Sequence, residues 1–206
     1  MPRVTEEHLE RRRQQILDAA RACFIRKGFY ATSMQDVFRE SGLSAGAVYR
    51  YFKSKDEIVR AIATEGQEAL AGFLSEILKE DPLPSLAEIL GRFGDFVIEH
   101  TGPMGFLRVA PHAWAAAMHD PEITSVMEML IKGIRGWVVK IVARLRDEGQ
   151  LPPDTDVAAA AATLSCLMPG FILQRLLLGD IDGETLRTGL GALVAEPEAA
   201  PSNPAR

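Results

Sequence analysis

Between Gly42 and Glu57 the chain gathers side chains suited to a polyanion. Four small residues, Ser44, Ala45, Gly46 and Ala47, are followed closely by Tyr49, Arg50, Tyr51, Lys53 and Lys55. Small side chains at a helix start let its backbone approach another surface, and the free amides and positive dipole end there suit phosphate. A tyrosine can donate its hydroxyl to phosphate or lay its ring against a thymine methyl. Lysines reach backbone phosphates, and an arginine can hold a guanine edge through two hydrogen bonds. Taken singly, Tyr49 and Tyr51 also fit half-buried packing, and Arg50 and Lys53 fit solvated charge. Taken together after a tight turn, they favour docking on DNA.

Catalytic chemistry has no such concentration. The sequence has no Gly-rich phosphate loop, nucleophile elbow, paired-Cys motif or His-Glu-x-x-His. Glu99 and His112 are the faint candidates for a pocket acid or base. His112 and His119 are seven apart, whereas metal pairs on helices prefer three or four, and no Cys or carboxylate cluster joins them. The expectation is no enzyme, no metal and no cofactor.

The elements that position these residues are helical. Leu9, Ile16, Leu17, Ala20 and Phe24 form one apolar stripe, with Arg11, Arg12, Gln15 and Arg26 off it. Gly28 stops this helix, and Phe29 falls where a Schellman-type cap brings it to Phe24. Ser33 and Asp36 form a capping box in its Asp variant, opening a helix that carries Val37 and Phe38 and ends at Ser41-Gly42. After the short turn Gly42-Leu43-Ser44, Ser44 caps a third helix, Ala45 to Phe52, with Val48 and Phe52 inward. Ser54 and Glu57 repeat the box and begin a fourth helix. Three short helices with a Gly turn before the third make a helix-turn-helix pattern. Charge agrees: residues 1–60 hold 12 Lys+Arg against 8 Asp+Glu, within a chain of net charge −5. That overall charge argues against a sequence-indifferent architectural DNA binder, which depends on phosphate neutralisation.

Gly42 to Glu57 resembles the recognition segment of TetR-type transcriptional regulators. Ile16-Leu17-Asp18-Ala19-Ala20 with Phe24, Gly28-Phe29, Thr32-Ser33 and Val37 resemble that family's first two helices. The resemblance covers about residues 9–60. It implies an amino-terminal DNA-binding domain, a carboxy-terminal ligand-binding and dimerisation domain, and operator binding relieved by a small molecule. It also implies phosphate contacts from Ser33 and Lys55, with Ser44, Ala45, Gly46, Ala47, Tyr49 and Tyr51 on the major-groove side. Arg50 occupies a variable position, so its base-reading role comes from its chemistry alone.

Beyond residue 60 the helices lengthen, at about 55–79, 85–101, 104–119, 121–148, 154–178 and 183–195. The expected fold is all-α, about nine helices. An amino-terminal three-helix helix-turn-helix domain spans 1–54 and a helical effector and dimerisation bundle 55–195, and a Pro-rich disordered tail covers 196–206. Pro111 and Pro169-Gly170 should each kink or split a helix. From Ala158 to Leu178 the chain is apolar nearly all round, so both sides of that helix must be covered. A homodimer provides the second cover, with Ala161, Leu164, Met168, Ile172, Leu186 and Leu190 at its interface. Phe93, Phe96, Phe106, His112, Trp114, Met118, Met127, Trp137, Met168 and Phe171 supply the lining expected for an apolar or aromatic effector, although core packing accounts for each of them too.

The composition, 47% apolar and 25% charged, is that of a soluble globular protein. Acidic residues where a leader needs an apolar stretch, and a long uncharged run too Ala-rich for a membrane span, point to the cytoplasm and no membrane partner. Cys23 and Cys166 are expected to be free and buried. The reading is a ligand-responsive, sequence-specific regulator, most simply a repressor, with an operator duplex, a small-molecule effector and a second copy of itself as partners.

Overall fold

The computed structural model describes residues 6–194. Nine α-helices occur among them, with no strand: α1 (Glu6–Lys27), α2 (Met34–Ser41), α3 (Ala45–Tyr49), α4 (Lys55–Ile77), α5 (Leu86–His100), α6 (Ala110–Ala117), α7 (Pro121–Asp147), α8 (Val157–Leu177) and α9 (Gly183–Val194). The tail expected at 196–206 lies outside the described residues.

The local signals act as their chemistry dictates. Gly28 takes φ +77° and donates its N–H to the Phe24 carbonyl at 2.8 Å, and the Phe24 and Phe29 rings meet at 5.7 Å across that turn. The Ser33 hydroxyl caps α2 while the Asp36 carboxylate accepts the Ser33 N–H. Gly42, at φ +67°, reverses the chain between α2 and α3, a backbone conformation that any side chain with a Cβ adopts at a cost. Ser44 and Ser54 cap α3 and α4. Glu57 reaches back to the Lys53 N–H at 2.6 Å, one residue beyond the expected box partner Ser54.

Helix α3 ends earlier than expected. The amides of Tyr51 and Phe52 share the Val48 carbonyl, at 2.9 and 3.0 Å, so the last turn tightens and leaves the α-helical register. The two prolines behave differently. Pro111 lies at the first turn of α6, where a missing N–H is tolerated, and the expected 104–119 helix splits into a 3₁₀ turn, Phe106–Val109, followed by α6. Pro169 lies inside α8, which runs through it without splitting.

Two hydrophobic cores result. The first gathers Ile16, Leu17, Phe24, Val37, Val48 and Phe52 around Ile58 and Ile62 of α4, and draws in Val109, Ala116, Ile123 and Met127. The second gathers Leu70, Leu74 and Ile77 of α4 with Phe93, Val97, Ile141, Val142, Met168 and Phe171. Leu9, expected on the α1 core stripe, is instead 40% exposed, because the first turns of α1 extend past the elements that cover Ile16. In the second half α5 and α9 meet closely: a Cβ on Gly94 would fall 2.5 Å from the Gly183 Cα.

Between the two cores, Glu65 of α4 accepts hydrogen bonds from Arg13, at 3.1 Å, and from the buried Arg21. Arg21 also reaches Asp18 at 2.7 Å. Removing one member of a largely buried ion pair strands the other without compensation. Glu65→Ala should therefore lose roughly 2–4 kcal/mol of unfolding free energy in a urea titration, discounted for the partly exposed carboxylate. A loss below about 0.5 kcal/mol would show that the clasp contributes no more than a surface pair.

Candidate nucleic-acid interface

Helix α3 lies on the first core through a single fully buried side chain, Val48, with Leu43 and Phe52 beside it. That anchor turns the opposite face outward. Ser44, Ala45, Gly46, Tyr49 and Arg50 are exposed and Ala47 is half-buried. The Tyr49 ring is braced edge-on against Phe38 of α2 at 5.3 Å, leaving it 41% exposed. Arg50 makes no ion pair or side-chain hydrogen bond among the described residues. Lys53 folds its ammonium back onto the Tyr49 carbonyl at 2.6 Å, satisfying the end of α3. Tyr51 is half-buried against the first core, so only part of its ring faces out.

Two expected phosphate contacts are already engaged. Lys55 is not a free clamp: its ammonium donates to the Phe29 and Thr32 carbonyls at 2.8 and 3.0 Å and lies 4.0 Å over the Phe29 ring. Burial pushes its pKa below the usual lysine value. At the start of α4 it ties down the α1–α2 turn, sharing the Phe29 carbonyl with the Thr32 N–H. Ser33 donates its hydroxyl to Asp36 at 2.9 Å and keeps an exposed position at the start of α2.

The effector lining expected from the sequence does not form one cavity. Met127 belongs to the first core, Phe106 packs against it, and Trp114 touches both cores. Phe93, Met168 and Phe171 are buried in the second, with Phe96 and Trp137 packed against it. Met118 is 77% exposed at the C-terminal end of α6, which removes it from any lining among the described residues. His112 faces the α1–α2 turn, where a Cβ on Gly28 would come within 3.6 Å of Nδ1. A small apolar cavity of about 30 Å³ lies among Leu74, Leu86, Phe93, Ile141, Leu164 and Met168. Beside it Phe96 stacks on His100 at 4.2 Å and meets Phe73 at 5.0 Å. The His100 Nδ1 donates to the Phe96 carbonyl at 2.8 Å, an arrangement that fixes Nε2 as the acceptor of the neutral ring. No group of three or more potential metal ligands occurs among the described residues.

Three of the six expected dimer residues are buried within this chain and the other three are half-buried. Ala161, Met168 and Ile172 are buried within this chain, Leu164 lines the small cavity, and Leu186 packs on the second core. Leu190 is half-buried. The uncovered stripe of α8 is instead Thr163, Cys166, Leu167, Leu173 and Leu177, at helical spacing, joined on α9 by Leu193, which is 84% exposed. Cys166 therefore lies on the surface, while Cys23 is buried as expected. Helix α8 is long and apolar enough to cross a membrane by length and composition, with 22% of its apolar window buried in the chain. An all-round apolar sequence cannot signal which face turns inward.

Beyond the expected set, Tyr30 and Arg21 connect the two halves. The Tyr30 hydroxyl donates to the Ala116 carbonyl of α6 at 3.2 Å, and Arg21 meets Glu65 as described above. Neither has a local sequence signal, because each partner lies more than 40 residues away.

Comparison with known proteins covers both halves. Residues 16–62 match the family described as bacterial regulatory proteins, tetR family, and residues 102–196 match the BetI-type transcriptional repressor C-terminal family. The uncharacterized HTH-type transcriptional regulator YfiR of Bacillus subtilis is 51% identical over 65 residues, a match spanning about a third of either protein, 32% of each. Among solved structures, Salmonella enterica GusR superposes with a TM-score of 0.76 at 25% identity, covering 93% of this chain and 98% of that one. The SmeT–triclosan complex superposes with a TM-score of 0.71 at 22% identity, covering 95% and 100%.

The Asp36 carboxylate holds α2 in place for this interface, and its titration is testable. The Lys27 ammonium, then the Ser33 N–H and hydroxyl, hold its pKa well below the ordinary carboxylate range. A depressed folded pKa gives stability that is present above the unfolded value, about 4, and is lost as pH falls toward the folded one. Asp36→Ala should therefore be less stable than wild type at pH 7, with the gap narrowing as thermal melts move from pH 5 toward pH 2. A gap independent of pH would mean the carboxylate charge is not what stabilises the cap.

Proposed function

The chain belongs to the tetR family of bacterial regulatory proteins and is a DNA-binding transcriptional regulator, not an enzyme, and from that premise we propose that it is a cytoplasmic, homodimeric repressor released from its operator by a small apolar or aromatic molecule. The observation that carries the reading is the outward face of α3, with Tyr49 and Arg50 exposed over a helix locked by Val48. In this reading residues 1–54 are the DNA-binding domain and 55–195 the effector and dimerisation domain. Ser44, Ala45, Gly46, Ala47, Tyr49 and Tyr51 meet the major groove, Arg50 reads a base edge, and Ser33 and Lys53 approach phosphate.

Dimerisation is supported by the bare stripe on α8 and α9. Paired recognition helices need a separation near one DNA turn, roughly 34–36 Å, and two copies joined through α8 and α9 supply the symmetry for it. The same contact covers the apolar face that would otherwise meet water. The effector class is supported by the aromatic surface around Phe93, Phe96 and Phe171 and by SmeT, a neighbour in fold, having been solved with triclosan. Helix α4 is the proposed route of the signal, since it contributes side chains to both cores.

Two experiments test this. In competition binding to DNA flanking its own gene, wild type should bind tightly, with affinity falling about 10³–10⁵-fold between 50 and 200 mM salt. Tyr49→Ala should lose that binding while sedimenting as a dimer; a monomeric Tyr49→Ala protein would make the tyrosine structural. Leu173→Glu, on the exposed stripe, should sediment as a folded monomer and bind the duplex at least tenfold more weakly. An intact Leu173→Glu dimer would overturn the α8–α9 interface.

A further inference from the structure

The cations of the first half divide into those already neutralised and those that are not. Arg13, Arg21, Arg26, Lys27 and Arg39 each sit in an ion pair, and Lys55 is committed to two carbonyls. Arg11 and Arg12 form no ion pair among the described residues. Together with His8 and Gln15 they line a shallow surface hollow of about 300 Å³, with no carboxylate among the described residues of its lining. Glu10, a neighbour on the same helix, is turned to Arg13 at 3.3 Å.

The hollow is held in register with the recognition helix. Arg12 Nη1 donates to Gln15 Oε1 at 2.8 Å, and Gln15 Nε2 donates to the Ser41 carbonyl at 2.7 Å. Ser41 ends α2 and precedes the Gly42 turn into α3. A guanidinium has five N–H donors in a planar fork, so Gln15 can fix its orientation and leave others for an anion. An arrangement in which an amide aims an uncompensated arginine, and is itself tied to the turn before α3, is suited to a fixed anion rather than to a solvated charge. A polymer phosphate, held at a set distance from α3, is the anion that uses that register.

We propose that this hollow on α1 is a DNA-backbone phosphate site outside the recognition segment, with Arg12 as the contacting residue, Arg11 adding charge and Gln15 positioning Arg12. It rests on the reading of the chain as a DNA-binding regulator and adds to it a contact that sets the register of α3 in the groove. Such a contact carries no base preference and contributes through counterion release.

The test uses full-length protein and a 40-bp duplex that wild type selects from a random-sequence pool. Arg12→Ala should weaken binding to every duplex tested and lower the log–log salt slope by about 1.8, the increment for two phosphates, one per protomer of the dimer. Arg11→Ala, at an exposed position, should lower it in the same sense without touching the Gln15 hydrogen bonds. Gln15→Ala should weaken wild type but add nothing to Arg12→Ala. Neutral methylphosphonate, placed one position at a time along the duplex, should reveal a phosphate whose loss costs wild type and is silent in Arg12→Ala. Equal salt slopes in wild type and both arginine variants, or strict additivity at every phosphate, would overturn the site. Displacement of DNA by inorganic phosphate, at constant ionic strength and from wild type alone, would overturn it in favour of a free-anion site. A wild type that selects no duplex would overturn the regulator reading instead.

Discussion

One helix has to complete two hydrophobic cores, and the rest of the molecule is arranged around that constraint. Ile58 and Ile62 of α4 close the core under the recognition helix, while Leu70, Leu74 and Ile77 close the core of the larger bundle. Burying each such side chain contributes about 1.5–3 kcal/mol, so neither half can shift along α4 without exposing apolar surface in the other. Glu65 sits between the two sets and holds Arg13 and Arg21 of α1. The clasp adds direction to the packing: hydrophobic contact tolerates some sliding, whereas a carboxylate shared by two guanidiniums does not. The first core is also not closed by α1 to α4 alone, because Val109, Ala116, Ile123 and Met127 complete it. A movement of α6 or α7 therefore reaches the helix-turn-helix through packed side chains as well as through α4.

Much of the first half was legible because its signals are local. Gly28, Ser33 with Asp36, Gly42 and Ser44 each act within three or four residues, and each ends or begins a helix where expected. The inward turn of Val48 follows from the same short register. Lys55 shows the limit of that kind of reading. A lysine at a helix start reads as a free cation, yet its ammonium lies on carbonyls more than 20 residues earlier in the chain. A buried backbone oxygen needs a donor, and which donor arrives is decided by the fold, not by neighbouring sequence.

The second half was legible in its helices and not in their faces. Helix α8 is apolar on every side, so periodicity carries no information about which side is packed. Ala161, Met168 and Ile172 went inward because they face Phe93 and the end of α4, leaving Leu167, Leu173 and Leu177 outside. The prolines follow the same logic. Pro111 meets a loop that can absorb the break, and the helix splits there; Pro169 lies in the middle of a helix packed against α5 and α7, where tertiary contact outweighs the lost hydrogen bond.

The closed state of the bundle bears on how an effector must act. A cavity of about 30 Å³ is close to the room one water needs, far below the 300–1,000 Å³ of a ligand pocket. In the proposed reading an aromatic effector enters this site only if the Phe93, Phe96 and Met168 packing opens, and the opening is borne by the ligand's own binding energy. Apparent affinity falls by the fraction of molecules already open, and the same ligand shifts the equilibrium only through its preference for the open form. Because α4 lines this cavity with Leu74 and reaches the first core through Ile58, the proposed effector response couples opening of the bundle to the helix-turn-helix through that one helix. A packed, ligand-sized void would have allowed binding without that coupling.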